Sequence, residues 1–148
     1  MRLTEQSKYA VMVLSCVGEC YPETLTVPEV AVQTGISVAN IFKLLKILTK
    51  DNLVFSARGR GGGFGLARGP ADISVGEVVR ACEPRFRDCK PAAMMQVDVI
   101  SKHPVYQCVD QTIGAGLRAF LYELDGVSIA DIARQAEDHD LALEQKAS

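Results

Sequence analysis

Arg58-Gly59-Arg60-Gly61-Gly62-Gly63-Phe64-Gly65-Leu66 is the stretch that decides the fold. Five of the seven residues from position 59 to 65 are glycine. Such a run cannot form a core strand, because glycine has no side chain to pack and loses the most backbone entropy on ordering. It can form the tight tip of a hairpin. The apolar-glycine-apolar sequence Phe64-Gly65-Leu66 suits a strand that returns from the tip, which a flexible linker would not need. Neither G-x-G-x-x-G between a strand and a helix nor the closing Gly-Lys-Ser/Thr of a phosphate loop is present. Arg58 and Arg60 on so slim a tip make a cationic finger of the size that enters a DNA minor groove.

Immediately upstream, residues 27–50 carry a helix-turn-helix pattern. Thr26 is placed to cap a helix whose first turn holds Pro28 and Glu29, and Gly35 supplies a left-handed C-cap. Ser37 caps the next helix, residues 37–50, after a turn of the length this motif uses. In that second helix Ile41, Leu44, Leu45 and Leu48 form an apolar stripe, while Asn40, Lys43, Ile47 and Lys50 share another side. The N-terminal end of a recognition helix points into the major groove, which nominates Ser37, Ala39, Asn40 and Lys43 for base edges. Lys46 and Lys50, further along, are placed for phosphates, with Arg58 and Arg60 on the wing. Each of these alone reads better as a solvated helix face; it is their adjacency to the wing that points to double-stranded DNA.

A net charge of −2 looks wrong for a DNA binder until it is divided. Residues 1–70 hold eight Lys/Arg against five Asp/Glu, a balance of +3, and residues 71–148 hold eight against thirteen, a balance of −5. Between 31 and 70 the ratio is six basic to one acidic, so the positive field is concentrated on the motif. A composition of 48% apolar and 23% charged residues is ordinary for a globular chain. No stretch approaches the ~20 consecutive apolar residues of a membrane span, and the beginning of the chain lacks the pattern of a cleaved signal peptide, so a cytoplasmic location is expected.

The rest of the chain divides accordingly. The expected class is mainly α with a small β-hairpin wing: a winged helix-turn-helix domain over 1–82, a sensor loop over 83–104, a dimerisation helix and a C-terminal helix over 105–136, and a flexible tail over 137–148. The first helix, about 4–20, carries Tyr9, Val13, Cys16, Val17 and Cys20 on one stripe. Ser74 is placed to cap a short helix, Val75 to Cys82, that stops before Glu83-Pro84. The long helix, about 105–124, is apolar at Val109, Ile113, Leu117, Phe120, Leu121 and Leu124, and its Gly114-Ala115-Gly116 segment permits close approach of another backbone. A second copy of the same helix is the expected cover, which makes the chain a two-fold homodimer on a palindromic operator.

These motifs resemble the Rrf2 family of bacterial winged-helix repressors. The opening Met1-Arg2-Leu3-Thr4 with Tyr9-Ala10-Val11, the Gly35-Ile36-Ser37 turn, Arg58-Gly59-Arg60-Gly61-Gly62-Gly63 and Ile73-Ser74-Val75-Gly76-Glu77-Val78 carry the resemblance, which extends through Leu124-Asp125 to Ile129-Ala130-Asp131-Ile132. The family includes the iron-sulfur cluster regulator, the nitrite-sensitive repressor and the rhizobial iron regulator, and Ile41-Phe42-Lys43-Leu44-Leu45 is most similar to the last of these. Membership implies a homodimeric transcription factor, often with a [2Fe-2S] or [4Fe-4S] cluster near the start of the dimer helix.

Five cysteines, an odd number, do not describe a disulfide framework. Cys16 and Cys20 read as inert buried thiols. Cluster-binding relatives place three evenly spaced cysteines before the dimer helix. Here Cys89 matches the first, Cys108 falls close to the third, and the longer stretch between them holds no cysteine. His103 or Cys82 would then fill a further place, since imidazoles replace two thiolates in some [2Fe-2S] centres. Lys8 stands where the nitrite-sensitive branch contributes an aspartate ligand, and a protonated lysine cannot do so. Zinc is disfavoured by the absence of a C-x-x-C pair. Three other roles remain to be weighed: a thiol-redox regulator through Cys89 and Cys108, a cluster-free interaction protein that docks a metabolic enzyme, and an enzyme with a Cys108 nucleophile and His103 base, for which no third orienting group is evident.

Overall fold

The structure is a computed structural model that describes residues 3–59, 62–87 and 103–147. Six α-helices and one two-stranded antiparallel sheet are present among them: α1 (Glu5–Glu19), α2 (Val27–Thr34), α3 (Val38–Lys50), β1 (Val54–Ala57), β2 (Gly63–Leu66), α4 (Val75–Cys82), α5 (Pro104–Asp125) and α6 (Ile129–Ala147). Among the described residues no single helix is long and apolar enough to cross a membrane.

The local signals act as their chemistry requires. Thr26 and Glu29 close a capping box at α2, Gly35 ends that helix at φ 70°, and the Ser37 hydroxyl accepts from the Asn40 N–H at the start of α3. A second capping box, Ser74 with Glu77, opens α4. The hairpin pairs Val54 with Leu66, Phe55 with Gly65, Ser56 with Phe64 and Ala57 with Gly63. Leu25 then lies along the outer edge of β2, exchanging hydrogen bonds of 2.9 and 3.0 Å with Phe64. Gly63 is required there, because a Cβ at that position would overlap the Leu25 carbonyl.

Two cores result. The main one joins Val13, Leu14 and Val17 of α1, Val30 of α2, Ile41, Leu44 and Leu48 of α3, Phe64 and Leu66 of β2, and Val78 of α4. Ile47 was expected on the outer side of α3 but is half-buried against this core, and Leu45 is half-buried rather than fully enclosed. The second core is smaller and consists of Val75 and Val79 of α4, Phe86, and Leu121 of α5, flanked by Leu117, Phe120 and Leu124.

This second core changes the reading of the long helix. At 22 residues α5 is about 33 Å long, so one half can dock while the other projects. Its C-terminal half packs against α4 of the same chain; the seam was expected to run along the whole stripe. Val109 and Ile113, in the N-terminal half, remain 51% and 66% exposed. The last helix also differs from expectation. It continues to Ala147 instead of ending near Ala136 in a frayed tail, because residues 137–147 are rich in Ala, Leu, Glu, Gln and Lys and contain neither Gly nor Pro. Its first residue, Ile129, fills the main core, and the chain around it pairs with the segment before α4 through Ile129 N–H to Ile73 O (2.9 Å) and Val75 N–H to Val127 O (2.8 Å).

Candidate nucleic-acid interface

The surface of α3 follows from its buried side. With Ile41, Leu44 and Leu48 enclosed, the 100° step between helical residues turns Ala39, Lys43, Lys46 and Lys50 outward, and all four are exposed. Ser37 is exposed at the N-cap. Asn40 is half-buried at one flank, where it borders a cleft with Glu5, Gln6, Tyr9 and Lys43. Phe42 and Val38 lie toward the other flank, and the sequence reading did not place them on the groove side. The signal was available, since Phe42 falls off the Ile41/Leu44/Leu48 stripe on a helical wheel.

The wing emerges just after α3, with the Leu53 N–H bonded to the Leu48 carbonyl at 2.9 Å. Arg58 is exposed next to the turn at Gly59, whose φ of 107° only glycine adopts without strain. Arg60 lies outside the described residues. Arg68, which the charge count included in the positive field, has a structural role. Its guanidinium donates to Asp72 O at 2.9 Å, Asn52 O at 3.3 Å and the Glu77 carboxylate at 2.6 Å, tying the end of β2 to α4.

Behind this surface two ionic contacts hold α4 in place. Arg80 makes a bidentate bridge to Asp125 at the end of α5, both bonds 2.6 Å. Asp125 lies so close to Gly76 that any side chain there would overlap its carboxylate. The second contact was not anticipated from sequence. Glu83, the C-cap of α4, is 3% exposed and its Oε1 accepts from the Thr4 N–H (2.7 Å), the Thr4 hydroxyl (2.8 Å) and the Ser7 hydroxyl (2.7 Å). It thus caps α1 from another element. Burial alone would raise its pKa, but those hydrogen bonds and Arg85 at 3.5 Å hold it below the ordinary glutamate value.

Three of the four expected ligands lie among the described residues. Cys108 is exposed near the start of α5, and His103 is that helix's exposed N-cap residue. Cys89 lies outside the described residues. Cys82 is buried in the main core, where burial first and then Glu83 and Asp51 push its thiol up to about 12, partly opposed by Arg87. In this structure the thiol packs among apolar side chains of the core. Cys16 is likewise buried, with its pKa raised to about 11 chiefly by desolvation, and donates to Gln33 Oε1 at 2.9 Å. Cys20 is exposed, against the expectation that it lay inside. Among the described residues no group of three His, Cys, Asp or Glu side chains is assembled to hold a metal. The described donors therefore do not by themselves fit a cluster.

A helix-turn-helix with a lysine face, followed by a glycine-tipped wing, defines a DNA-binding transcriptional regulator of the winged-helix class. The chain belongs to the Rrf2 family, described as iron-dependent transcriptional regulators, whose model matches residues 3–135. It is 33% identical over 141 residues to the HTH-type transcriptional regulator NsrR of Bacillus subtilis, covering 93% of this chain and 94% of that one. It is 31% identical over 137 residues to protein aau3 of Rhizobium meliloti, covering 90% and 86%. The solved structures of T. potens IscR (TM-score 0.69, 23% identity, 94% of this chain and 90% of that one) and B. subtilis CymR, the global cysteine regulator (0.67, 20%, 91% and 98%), share the fold. Family members are transcriptional regulators, which sets aside both the enzyme reading of Cys108 with His103 and the docking protein.

Proposed function

We propose that this chain is a cytoplasmic, homodimeric repressor that binds a palindromic operator and whose occupancy is set at the start of α5. The observation that carries the DNA reading is the outward row Ala39, Lys43, Lys46 and Lys50 on a capped helix that runs straight into the wing. Ser37, Ala39, Asn40 and Lys43 read base edges, Lys46 and Lys50 meet phosphates, and Arg58 and Arg60 enter the minor groove. The dimer reading is supported by Val105, Val109 and Ile113 on the undocked half of α5 and by the open space around Gly116. Residues 1–82 form the DNA-binding part, with α6 packed against its α1, and 83–104 the sensor segment.

For the sensor we propose Cys108, Cys89 and His103, as ligands of an iron-sulfur cluster or as a thiol-redox site. Support comes from the exposure of both Cys108 and His103 in the first turns of α5, from the family's description as iron-dependent, and from thiolate chemistry, which suits iron-sulfur ligation. A bound cluster would supply a redox- and ligand-sensitive charge at that point; the residues themselves would fix it to α5. The deciding experiment is two-part. Protein purified without oxygen should select a preferred duplex from a random DNA pool, and its absorption spectrum with iron and sulfide counts should show a cluster. Failure of selection rejects the DNA reading; iron-free protein rejects the cluster and leaves the thiols, to be tested by peroxide treatment of the wild type and of Cys108→Ser.

A further inference from the structure

The outer surface of α3 carries two large apolar side chains that neither core uses. Phe42 is 54% exposed and Val38 42% exposed. Four residues apart, they are surface neighbours, and exposed Ala39 sits one turn before Phe42. Around this patch stand Lys43, Lys46 and Lys50, all exposed.

That arrangement selects the occupant. A protein groove that enclosed Phe42 would have to desolvate the neighbouring ammonium groups as well, which is costly without partners. Duplex DNA presents apolar and anionic features side by side, namely the thymine C5 methyl on the floor of the major groove and phosphates along its edges. An α-helix fits that groove, so the lysines can reach phosphates while the apolar patch faces methyl groups. Asn40 is two residues from Phe42, about 200° away around the helix, so hydrogen-bond readout and methyl readout fall on opposite flanks.

We propose that Phe42, with Val38 and Ala39, is a reader of thymine methyl groups and a determinant of operator sequence. The proposal rests on the DNA-binding reading given above. Its test uses the duplex that the full chain selects from a random pool, with each thymine replaced in turn by deoxyuridine, which removes the methyl group and nothing else. Binding of the wild type should weaken roughly fourfold at one or more positions, the effect of withdrawing one methyl-sized group from apolar contact. Phe42→Ala should bind thymine and uracil versions of those positions equally, and Phe42→Leu should retain part of the discrimination. The proposal is overturned if no thymine matters to the wild type, or if Phe42→Ala discriminates as fully as the wild type. Because the uracil scan of the wild type needs no variant, a folding defect in Phe42→Ala would leave Phe42→Leu to decide: unchanged discrimination there also overturns it. If no duplex is selected at all, the DNA reading has failed instead.

Discussion

Arg58 and Glu83 show how differently two charged residues act in one small protein. Arg58 is exposed on the wing, and a charge there contributes through counterion release when it neutralises a phosphate. Arg58→Ala should weaken binding to the selected duplex and reduce the slope of log affinity against log salt by about 1. An unchanged slope in a fluorescence-anisotropy titration would remove Arg58 from the interface. Glu83 is enclosed and acts on stability. Its carboxylate is held below the ordinary value of 4.5, so its contribution is fully present above that pH and is lost as pH falls through the lower folded-state value. Glu83→Gln should therefore be less stable at neutral pH, by about 2 kcal/mol in unfolding free energy for weakened bonds to a charged acceptor. The gap should close as the wild type is acidified below 4.5. A gap that stays constant with pH would mean that the charge is irrelevant and only the shape of the side chain counts.

At the scale of elements, α5 has two halves in different surroundings, one packed and one exposed. Leu121 is fully buried, and Leu117 and Phe120 pack around it against Val79 and Phe86 of the same chain. A carboxylate at Leu121 would therefore lie unpaired inside the protomer and unfold it. In the proposed dimer the seam lies further toward the N-terminus. Val109→Asp or Ile113→Asp should give a monomer by sedimentation with an unchanged circular-dichroism spectrum, whereas Leu121→Asp should lose the spectrum itself. Dimers that survive both seam substitutions would reject this face. The stripe Val109 to Leu124 was legible as apolar, but periodicity says only that a face is covered, not by which chain. The helix-turn-helix was read more fully, since its limits are set by local chemistry: the Thr26–Glu29 capping box, the left-handed Gly35 and the Ser37 cap all work within a turn.

For the whole molecule the question is how a signal at the proposed sensor, at the start of α5, would reach α3. The covalent and packed route runs from α5 through the Arg80–Asp125 bridge to α4, and from Glu83 at the end of α4 to the N-terminus of α1, whose Val13, Leu14 and Val17 share a core with α3. If the sensor is as proposed, Cys108→Ser should abolish visible absorbance of anaerobic protein and change operator affinity. Cys82→Ser should leave the spectrum alone and cost only packing in the core. Loss of absorbance in Cys82→Ser with its fold intact would return that thiol to the ligand set.

What the sequence determined by itself was the local layer: which residues cap, turn and stripe, and hence a winged helix-turn-helix with a basic face. Those are short-range effects, settled by propensity, capping and hydrophobic period over a few residues. The tertiary structure alone decided the fate of individual side chains whose chemistry is ambiguous. Arg68 is drawn into three hydrogen bonds rather than toward DNA, Cys82 is enclosed while Cys108 is not, and Glu83 becomes the cap of a helix 76 or more residues away in the chain. Burial and long-range pairing depend on which surfaces meet, and no local pattern encodes that meeting; a buried carboxylate or thiol is recognisable only once the partners that surround it have been brought together.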